Sequence, residues 1–347
     1  MRTTYFLAII TSFATGCMGE IGGPRKPDKG SDAVPSTDSP CTKVEKNVTI
    51  RVASDALLLP QTGCYDIVGS LTIQSSDVTS LAKLADLNSV TDLELDHTSL
   101  THIDTKRTIG IYGKLTVVGN PQLTTLGQLL FKTASPGILI DGNAQLRAIE
   151  PVAVDTAQLT EVDGDVTITG NPVLGAVAFK HLTKISGKLL VGNNPALTSL
   201  DLGQLQITSG IEISDNLFLT QVTGLAMTTI AGDLAIRNNA ALTSLGTMTA
   251  LYHVAGDVTI ENNARLASLA AFTTALKQID HALTINNNAS LTDVGSLKYV
   301  SHISAITILN NLNLVACRAL EIDRCVNHDQ GSNINNNRNA NCGINCN

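Results

Sequence analysis

The sequence predicts an all-β solenoid, in which short parallel strands stack coil upon coil around a narrow apolar core. The main observation is a repeat of 22 to 28 residues, visible in strings such as GDVTIENNARLASL at 256–269. Eleven copies at a nearly fixed spacing are typical of a solenoid, because one such unit cannot bury its apolar face alone. The first apolar residue of each copy, called the anchor here, is Leu71, Leu93, Leu115, Ile138, Val166, Leu189, Ile211, Leu234, Val258, Leu283 or Ile306.

Each copy contains the pattern of a short strand with one buried face. In Val258-Thr259-Ile260, for example, an outward residue separates two apolar ones. This alternation, and the abundance of Val, Ile and Thr, favour a strand. Further apolar residues lie four positions before the anchor and eight and eleven positions after it. The pattern therefore predicts five inward columns in about eleven coils.

An asparagine column marks the turn after each strand. A carboxamide has donors and an acceptor, so stacked amides can satisfy backbone groups that a sharp turn leaves unpaired inside the coil. Pro or Ala usually follows, as at Pro172, Pro195 and Ala264, which agrees with a turn. We interpret this ladder as structural rather than catalytic. It consists of Asn120, Asn143, Asn171, Asn194, Asn216, Asn239, Asn263, Asn288 and Asn311, with Ser76 and Thr98 at the same position of the first two copies.

The first forty residues predict export and a membrane anchor. Residues 5–13 form an apolar run after Arg2 that is too short to cross a bilayer and is typical of a signal peptide. Residues 14–17, ATGC, resemble the bacterial lipobox, which implies cleavage before Cys17 and lipidation of its sulfur. A plain secretory peptide with an incidental cysteine is the alternative. Residues 17–40 have the composition of a flexible tether.

The cysteines predict disulfide-bearing caps at both ends of the solenoid. The chain has 7 Cys, and assigning Cys17 to the lipid leaves an even set, as expected for disulfides in an exported protein. We expect a Cys41–Cys64 bridge in the N-terminal cap, whereas the pairing of the other four stays open and a zinc site is the rival interpretation. The disulfide candidates are Cys41, Cys64, Cys317, Cys325, Cys342 and Cys346.

These boundaries divide the chain into five segments. Cys317 falls in the last inward column, so we expect the final coil to continue directly into the C-terminal cap. The segments are a lipoprotein signal peptide at 1–16, a tether at 17–40, an N-terminal cap at 41–66, the repeat solenoid at 67–316 and a Cys- and Asn-rich C-terminal cap at 317–347.

The repeats resemble the receptor L domain family of leucine-rich-repeat-like modules. Strings such as GDLAIRNNAALTSL at 232–245 and GKLLVGNNPALTSL at 187–200, between Cys-bearing caps, carry the resemblance over roughly residues 41–346. It implies a right-handed parallel β-helix, and the lipobox suggests the lipoproteins of myxobacteria and their relatives. The chain has about twice as many coils as the receptor modules and no Trp. A receptor's ligand site is therefore not carried over.

Parallel β-helices also include polysaccharide-degrading enzymes, in which paired carboxylates lie at outward strand positions. Glu94 and Asp96 lie on one strand about 7 Å apart, a separation compatible with an inverting glycosidase. A lone exposed pair on a repeat is more often solvated surface. Neither a nucleophile elbow nor a phosphate-binding glycine loop occurs in the sequence, and the scattered histidines do not suggest a metal site. We therefore expect no catalytic residues, cofactor or metal.

The leading hypothesis is a lipid-anchored envelope protein, on the outer membrane, whose solenoid face recognises a protein or a glycan. The net charge of −7 argues against nucleic acid, and membrane contact is expected only through the lipid. The alternatives are an enzyme that degrades envelope polysaccharides and a purely structural scaffold, and the sequence leaves open whether the protein faces the cell surface or the periplasm. The candidate binding face contains Glu94, Asp96, Asp141, Glu212, Arg237 and Glu261.

Overall fold

A computed structural model describes residues 40–127, 129–131, 135–149 and 159–338. These residues form a parallel β-solenoid of about 12 turns, which confirms the predicted fold class. The helical elements are the 3-10 helices Ala53–Leu58, Ala82–Leu84 and Leu297–Tyr299 and the α-helix α1, Ala316–Cys325. The strands are β1 (Thr42–Val44), β2 (Val48–Ile50), β3 (Tyr65–Gln74), β4 (Leu87–Asp96), β5 (Ile109–Ile111), β6 (Leu115–Val118), β7 (Leu129–Phe131), β8 (Gly137–Asp141), β9 (Ala148–Ile149), β10 (Glu161–Val162), β11 (Asp165–Thr169), β12 (Ala176–Ala178), β13 (Lys184–Ile185), β14 (Lys188–Gly192), β15 (Ser199–Thr208), β16 (Gly210–Ser214), β17 (Gln221–Ile230), β18 (Leu234–Arg237), β19 (His253–Val254), β20 (Val258–Glu261), β21 (Gln278–Asn286), β22 (His302–Leu309) and β23 (Asn333–Asn335).

The anchor residues stack in register as one continuous parallel sheet, which we call the front sheet. Val166 pairs with Leu189, and Leu189 pairs with Ile211. The register holds across the longest repeat, where Ile138 pairs with Val166. An extension of one repeat therefore leaves the front sheet unchanged. The front sheet contains β2, β3, β4, β6, β8, β11, β14, β16, β18, β20, β21, β22 and β23.

Shorter parallel ladders run beside the front sheet. One joins β10, β13, β15, β17, β19 and β21, and another joins β9, β12, β15 and β17. The long strands β15 and β17 take part in both, with shifts of register between Asp201 and Ile207. Each coil therefore contacts mainly its two neighbours, as expected for a solenoid.

The coil built on Val166 shows how the core is filled. Val162, Val166, Ile168, Leu174 and Val177 occupy its five inward columns, and none of them is more than 1% exposed. Burial of each aliphatic side chain contributes roughly 1.5–3 kcal/mol. The same five columns are buried in the next coil, which confirms the inward columns predicted from the sequence; they are Ile185, Leu189, Val191, Leu197 and Leu200.

The asparagines after the strands lie fully buried and bonded from coil to coil. The Nδ2 of Asn216 donates to the carbonyl oxygens of Val191 at 3.0 Å and Ser214 at 2.9 Å, and to Oδ1 of Asn239 at 3.3 Å. The backbone N–H of Asn216 donates to the same Oδ1 at 3.2 Å. The other eight asparagines of the predicted ladder are also fully buried. Each amide thus closes its own turn and joins it to the adjacent coils.

The ladder extends one position beyond the predicted asparagines at each end. Thr98 is buried and donates through both its backbone N–H and Oγ1 to Oδ1 of Asn120, at 2.9 and 2.6 Å. At the other end Asn311 donates to Oδ1 of Asn337, at 3.2 Å from the backbone and 3.4 Å from Nδ2. Asn337 follows β23, so the last strand belongs to a further coil that the sequence did not predict.

The N-terminal segment contributes strands to the stack. β1 and β2 both pair with β3, so the stacking begins inside residues 41–66 rather than at 67. The predicted disulfide is confirmed, since Cys41 is bonded to Cys64 just before β3. It joins neighbouring coils, and the backbone N–H of Thr42 donates to the Cys64 carbonyl oxygen at 3.0 Å.

At the C-terminal end the expected position of Cys317 is wrong. Cys317 lies half-buried in the first turn of α1, whereas Leu314 fills the last inward position. The buried Ala319 and Ile322 of α1 belong to the apolar core, and α1 contacts the 3-10 helix Leu297–Tyr299. Cys317 and Cys325 are disulfide-bonded, which argues against the zinc interpretation for these two thiols. Cys17, Cys342 and Cys346 lie outside the described residues.

Candidate functional site

All six residues of the candidate binding face lie on the front sheet and point outward from it. Two outward columns run in register along the sheet, one through the residue after each anchor and the other two positions later. Glu94 and Glu212 belong to the first column, and Arg237 pairs in register with Glu261 in the second. Asp96 and Asp141 also belong to the second column. The structure therefore places the six residues on one surface.

The carboxylates of Glu94 and Asp96 are both held by neighbouring side chains. Thr72 Oγ1 donates to Glu94 Oε2 at 3.0 Å, and Asp96 Oδ1 lies 2.5 Å from Nδ1 of His97. The two residues are two positions apart on β4 and lie about 7 Å apart along it.

The other charges of the front sheet are paired across adjacent coils. Lys188 Nζ lies 2.6 Å from Glu212 Oε2, and Arg237 Nε lies 3.8 Å from Glu261 Oε2. Asp141 accepts a hydrogen bond from Thr169 Oγ1 at 2.6 Å. Because these opposite charges lie side by side, the front sheet presents a mixed and nearly neutral surface between β14 and β20.

A second ladder lies on the outside of the same turns, one residue before the buried one. Its residues share a left-handed backbone, with φ between 51° and 67°, where Gly and Asn are favoured over other residues. Nδ2 of Asn262 donates to Oδ1 of Asn238 at 2.8 Å, and Nδ2 of Asn287 donates to Oδ1 of Asn262 at 2.7 Å. We call this column the outer ladder; it consists of His97, Gly119, Gly142, Gly170, Asn193, Asp215, Asn238, Asn262, Asn287, Asn310 and Asn336.

Sequence reasoning missed the outer ladder, although a signal for it was present. The doublet Asn-Asn occurs at 193–194, 238–239, 262–263, 287–288 and 310–311. Only the second member of each doublet was assigned a role. A left-handed residue next to an inward one requires a residue that tolerates positive φ, and a second Asn meets this requirement.

Exposed apolar side chains flank the outer ladder two and three residues further along the chain. Leu217 is 49% and Phe218 is 57% exposed, in a solenoid whose other large apolar residues are mostly buried. With Ala240, Ala241 and Arg265 they line a shallow depression. An exposed aromatic next to a row of amides is a candidate ligand surface.

Three histidine–carboxylate pairs lie towards the C-terminal end of the solenoid. Nε2 of His253 lies 2.9 Å from Asp280 Oδ2, and the corresponding distances are 3.5 Å for His302 and Asp329 and 3.3 Å for His328 and Asp323. The hydrogen bond from His253 is the largest cause that lowers the pKa of Asp280. Within the described ranges these side chains do not form a group of three or more that could hold a metal ion.

A buried carboxylate lies near the first coils. Asp66 is fully buried in β3, and its Oδ1 accepts hydrogen bonds from Ser89 Oγ at 2.6 Å and Asn88 Nδ2 at 2.8 Å. Burial, followed by the negative charge of Asp66, raises the pKa of Tyr112. This polar cluster joins β3 to β4 and is consistent with a structural role.

Two further findings bear on the predicted localisation and family. Among the residues that the structure describes, no helix has both the length and the apolarity needed to cross a membrane. Comparison of the chain with protein-family models, with curated proteins and with solved structures finds no match.

Proposed function

We propose that this protein is a non-enzymatic recognition module of the bacterial cell envelope that binds a protein or a glycan along its solenoid. One observation supports this proposal most. Outward positions repeat in register on coil after coil, so the surface presents a row of side chains, one from each coil, along one direction. A polymeric ligand can use such an array through many weak contacts at once.

The two carboxylates on β4 provide the test that separates binding from catalysis. An inverting glycosidase needs one carboxylic acid and one carboxylate facing a bound sugar. In this protein Glu94 contacts Thr72 and Asp96 contacts His97. The proposal predicts that neither the purified chain nor its Glu94→Gln and Asp96→Asn variants depolymerise envelope polysaccharides. Turnover of a polysaccharide that either substitution abolishes would replace recognition by catalysis.

The proposed attachment to the envelope rests on residues outside the described ranges. We propose that Cys17 carries the lipid, that 17–40 is a tether, and that the chain belongs with the lipoproteins of the receptor L domain type. The resemblance to the bacterial lipobox and the repeat strings at 187–200 and 232–245 support this assignment. Cys17→Ser should release the protein from the membrane fraction.

Protease treatment of intact cells followed by mass spectrometry tests the location. Peptides such as the one that ends at Arg237, released without breaching the envelope, would place the solenoid on the cell surface, where partners are matrix, host or other cells. Peptides released only after the envelope is opened would place it in the periplasm. Binding itself is tested by biolayer interferometry of the immobilised full chain against purified envelope proteins and against neutral and acidic polysaccharides. The absence of saturable binding to all of them would overturn the proposed function.

A further inference from the structure

We infer that the outer ladder between Asn193 and Asn336, with Leu217 and Phe218 beside it, is a binding site for a linear, uncharged glycan that runs along the solenoid axis. The inference rests on the proposed recognition function and specifies its ligand class and its site. The site lies on the turns beside the front sheet, outside the six charged positions predicted from the sequence.

The hydrogen-bonding capacity of the outer ladder matches a row of hydroxyl groups. Each carboxamide has two N–H donors and an oxygen with two lone pairs. Within the ladder, Asn262 uses one donor towards Asn238 and one acceptor position towards Asn287. Asn262, which is exposed, therefore keeps one N–H and one lone pair for a ligand. A sugar hydroxyl both donates and accepts, so it can satisfy both groups at once.

The ladder is also preorganised. Nδ2 of Asn238 donates to Asp215 Oδ1 at 2.9 Å, and Nδ2 of Asn336 donates to Asn310 Oδ1 at 2.7 Å. These bonds fix the side chains before any ligand arrives, and the left-handed backbone fixes the turns that carry them. A ligand therefore loses little affinity to the ordering of protein side chains. Successive amides follow the stacking of the coils, at about 4.8 Å per coil, so they form a periodic array for a periodic polymer.

The charge of the site favours a neutral ligand. From Asn193 to Asn336 the outer ladder has one charged member, Asp215, and the depression beside it has one cation, Arg265. The nearby charges Arg237 and Glu261 lie 3.8 Å apart and offset each other. An acidic polysaccharide would find no cationic row along this column, and a basic polymer would find no anionic one.

The backbone beside the ladder argues against an extended peptide as the ligand. Peptides that add to sheets need unpaired backbone donors and acceptors at an edge. Here the backbone N–H groups of the ladder residues already donate to the next coil, from Asn193 to Ser214 at 3.0 Å and from Asn238 to Glu261 at 2.9 Å. The amide side chains are therefore the hydrogen-bonding groups that remain available to a ligand, and such groups suit a glycan.

The exposed Leu217 and Phe218 complete the site. The C–H face of a sugar ring is apolar and packs against aromatic or aliphatic side chains. This contact needs no charged group on the protein or on the sugar. Leu217 and Phe218 follow Asp215 of the outer ladder by two and three residues, within about 7–11 Å of extended chain. One sugar of the polymer can therefore rest on Phe218 while its neighbours contact the amides of adjacent coils.

The test measures the dissociation constants of the full chain for cellohexaose and maltohexaose as neutral probes and for polygalacturonate as an acidic one. The key variant is Asn238→Gly/Asn262→Gly, because glycine keeps the left-handed turn and removes only the amides; Gly119, Gly142 and Gly170 already occupy this column. Phe218→Ala tests the apolar part. The control is Leu58→Ser, which changes another exposed apolar residue, 81% exposed, away from the ladder.

We expect a neutral hexasaccharide to bind, with roughly tenfold weaker binding for each of the two test variants and no change for the control. Unchanged glycan binding in both test variants would move the site elsewhere and overturn this inference, while recognition would stand. Binding of polygalacturonate alone, or of envelope proteins alone, would also overturn this inference while recognition would stand. Absence of any ligand would overturn the recognition function as well, so the two failures are distinguishable.

Discussion

Oδ1 of Asn216 accepts two hydrogen bonds from Asn194, one from its backbone N–H at 3.2 Å and one from its Nδ2 at 3.3 Å. Asn216 in turn donates to Asn239 of the next coil. Each buried asparagine therefore serves three coils, because its Nδ2 also reaches the carbonyl oxygen of Val191 in the preceding strand. Loss of one amide therefore removes hydrogen bonds from several turns at once.

Asn216→Ala should lower the free energy of unfolding by about 2–5 kcal/mol. It leaves the backbone N–H of Asn194 buried without its acceptor and removes one donor from the carbonyl oxygens of Val191 and Ser214, and each buried group left unpaired costs about 1–3 kcal/mol before relaxation. Urea denaturation of the full chain measures the change. Asn238→Gly is the control, since it removes an exposed amide and should shift the midpoint little; equal shifts in both variants would contradict the structural role of the buried ladder.

Removal of the Cys41–Cys64 disulfide should loosen the first coils by about 3 kcal/mol. The bridge joins two residues that are 23 positions apart in the sequence. Without it the unfolded segment gains conformational entropy, which stabilises the unfolded state. The double variant Cys41→Ser/Cys64→Ser avoids reduction of the disulfides of Cys317 and Cys325. Hydrogen exchange should accelerate in β3 and stay unchanged in β18. Unaltered protection of β3 would show that packing alone holds this end.

Tyr65 should make the protein sensitive to alkali. Burial, with a smaller contribution from the negative charge of Asp86, raises the pKa of Tyr65 to about 12 from an ordinary value of 10.0. The folded-state pKa of Tyr65 is higher than the unfolded one. The stability that comes from keeping Tyr65 protonated is therefore fully present below pH 10 and is lost as the pH rises from about 10 to 12. The expected loss in unfolding free energy is about 2–3 kcal/mol.

Tyr65→Phe is the matched variant for this effect. The hydroxyl of Tyr65 is buried and has no hydrogen-bond partner within the described part of the chain, so phenylalanine fits without breaking a contact. The variant should be at least as stable as the natural protein at pH 7 and should lose less stability between pH 10 and 12. Parallel unfolding curves for both proteins over this range, from urea titrations, would rule out Tyr65 as the titrating group.

The charge pairs of the front sheet should contribute little to stability. Lys188 and Glu212 are 2.6 Å apart, but their side chains are 47% and 26% exposed, so water and salt screen the attraction. Lys188→Met should change the unfolding free energy by less than about 1 kcal/mol. Thermal unfolding at low and at 1 M NaCl measures it. A larger loss that persists at high salt would show a buried interaction.

Most of the solenoid could be predicted from the sequence because the same pattern of buried and outward residues recurs in every coil. Burial of the anchor and of the residue two positions later follows from strand alternation, and the same alternation identified the outward position of Glu212. The same pattern recurs in every coil, so comparison with the next coil reveals an accidental match in any one of them. This redundancy also separated the buried asparagines from ordinary surface residues.

The prediction failed where the repeat ends or where strand alternation stops. α1 replaces a strand at the C-terminal end, and the anchor position of the last coil is Ser332, so the hydrophobic pattern gave no warning of β23. The outer ladder was missed because the left-handed turn shifts the phase of the alternation: continued strand alternation from Val258 and Ile260 would place Asn262 inward, whereas Asn262 is exposed and Asn263 is buried. The apolar depression at Phe218 depends on the side chains of three coils and has no local signature.

The Cys41–Cys64 bridge has a mechanical consequence. Backbone hydrogen bonds between parallel strands run along the stacking axis, so a pulling force along that axis loads the interfaces between coils in series, and they open one at a time. The bridge ties β1 covalently to the coil of β3, and this interface cannot part under tension. Stretching in an optical trap should therefore extend the chain in steps of about one repeat, starting at an interior interface, and leave the 23-residue loop closed until a reductant is added.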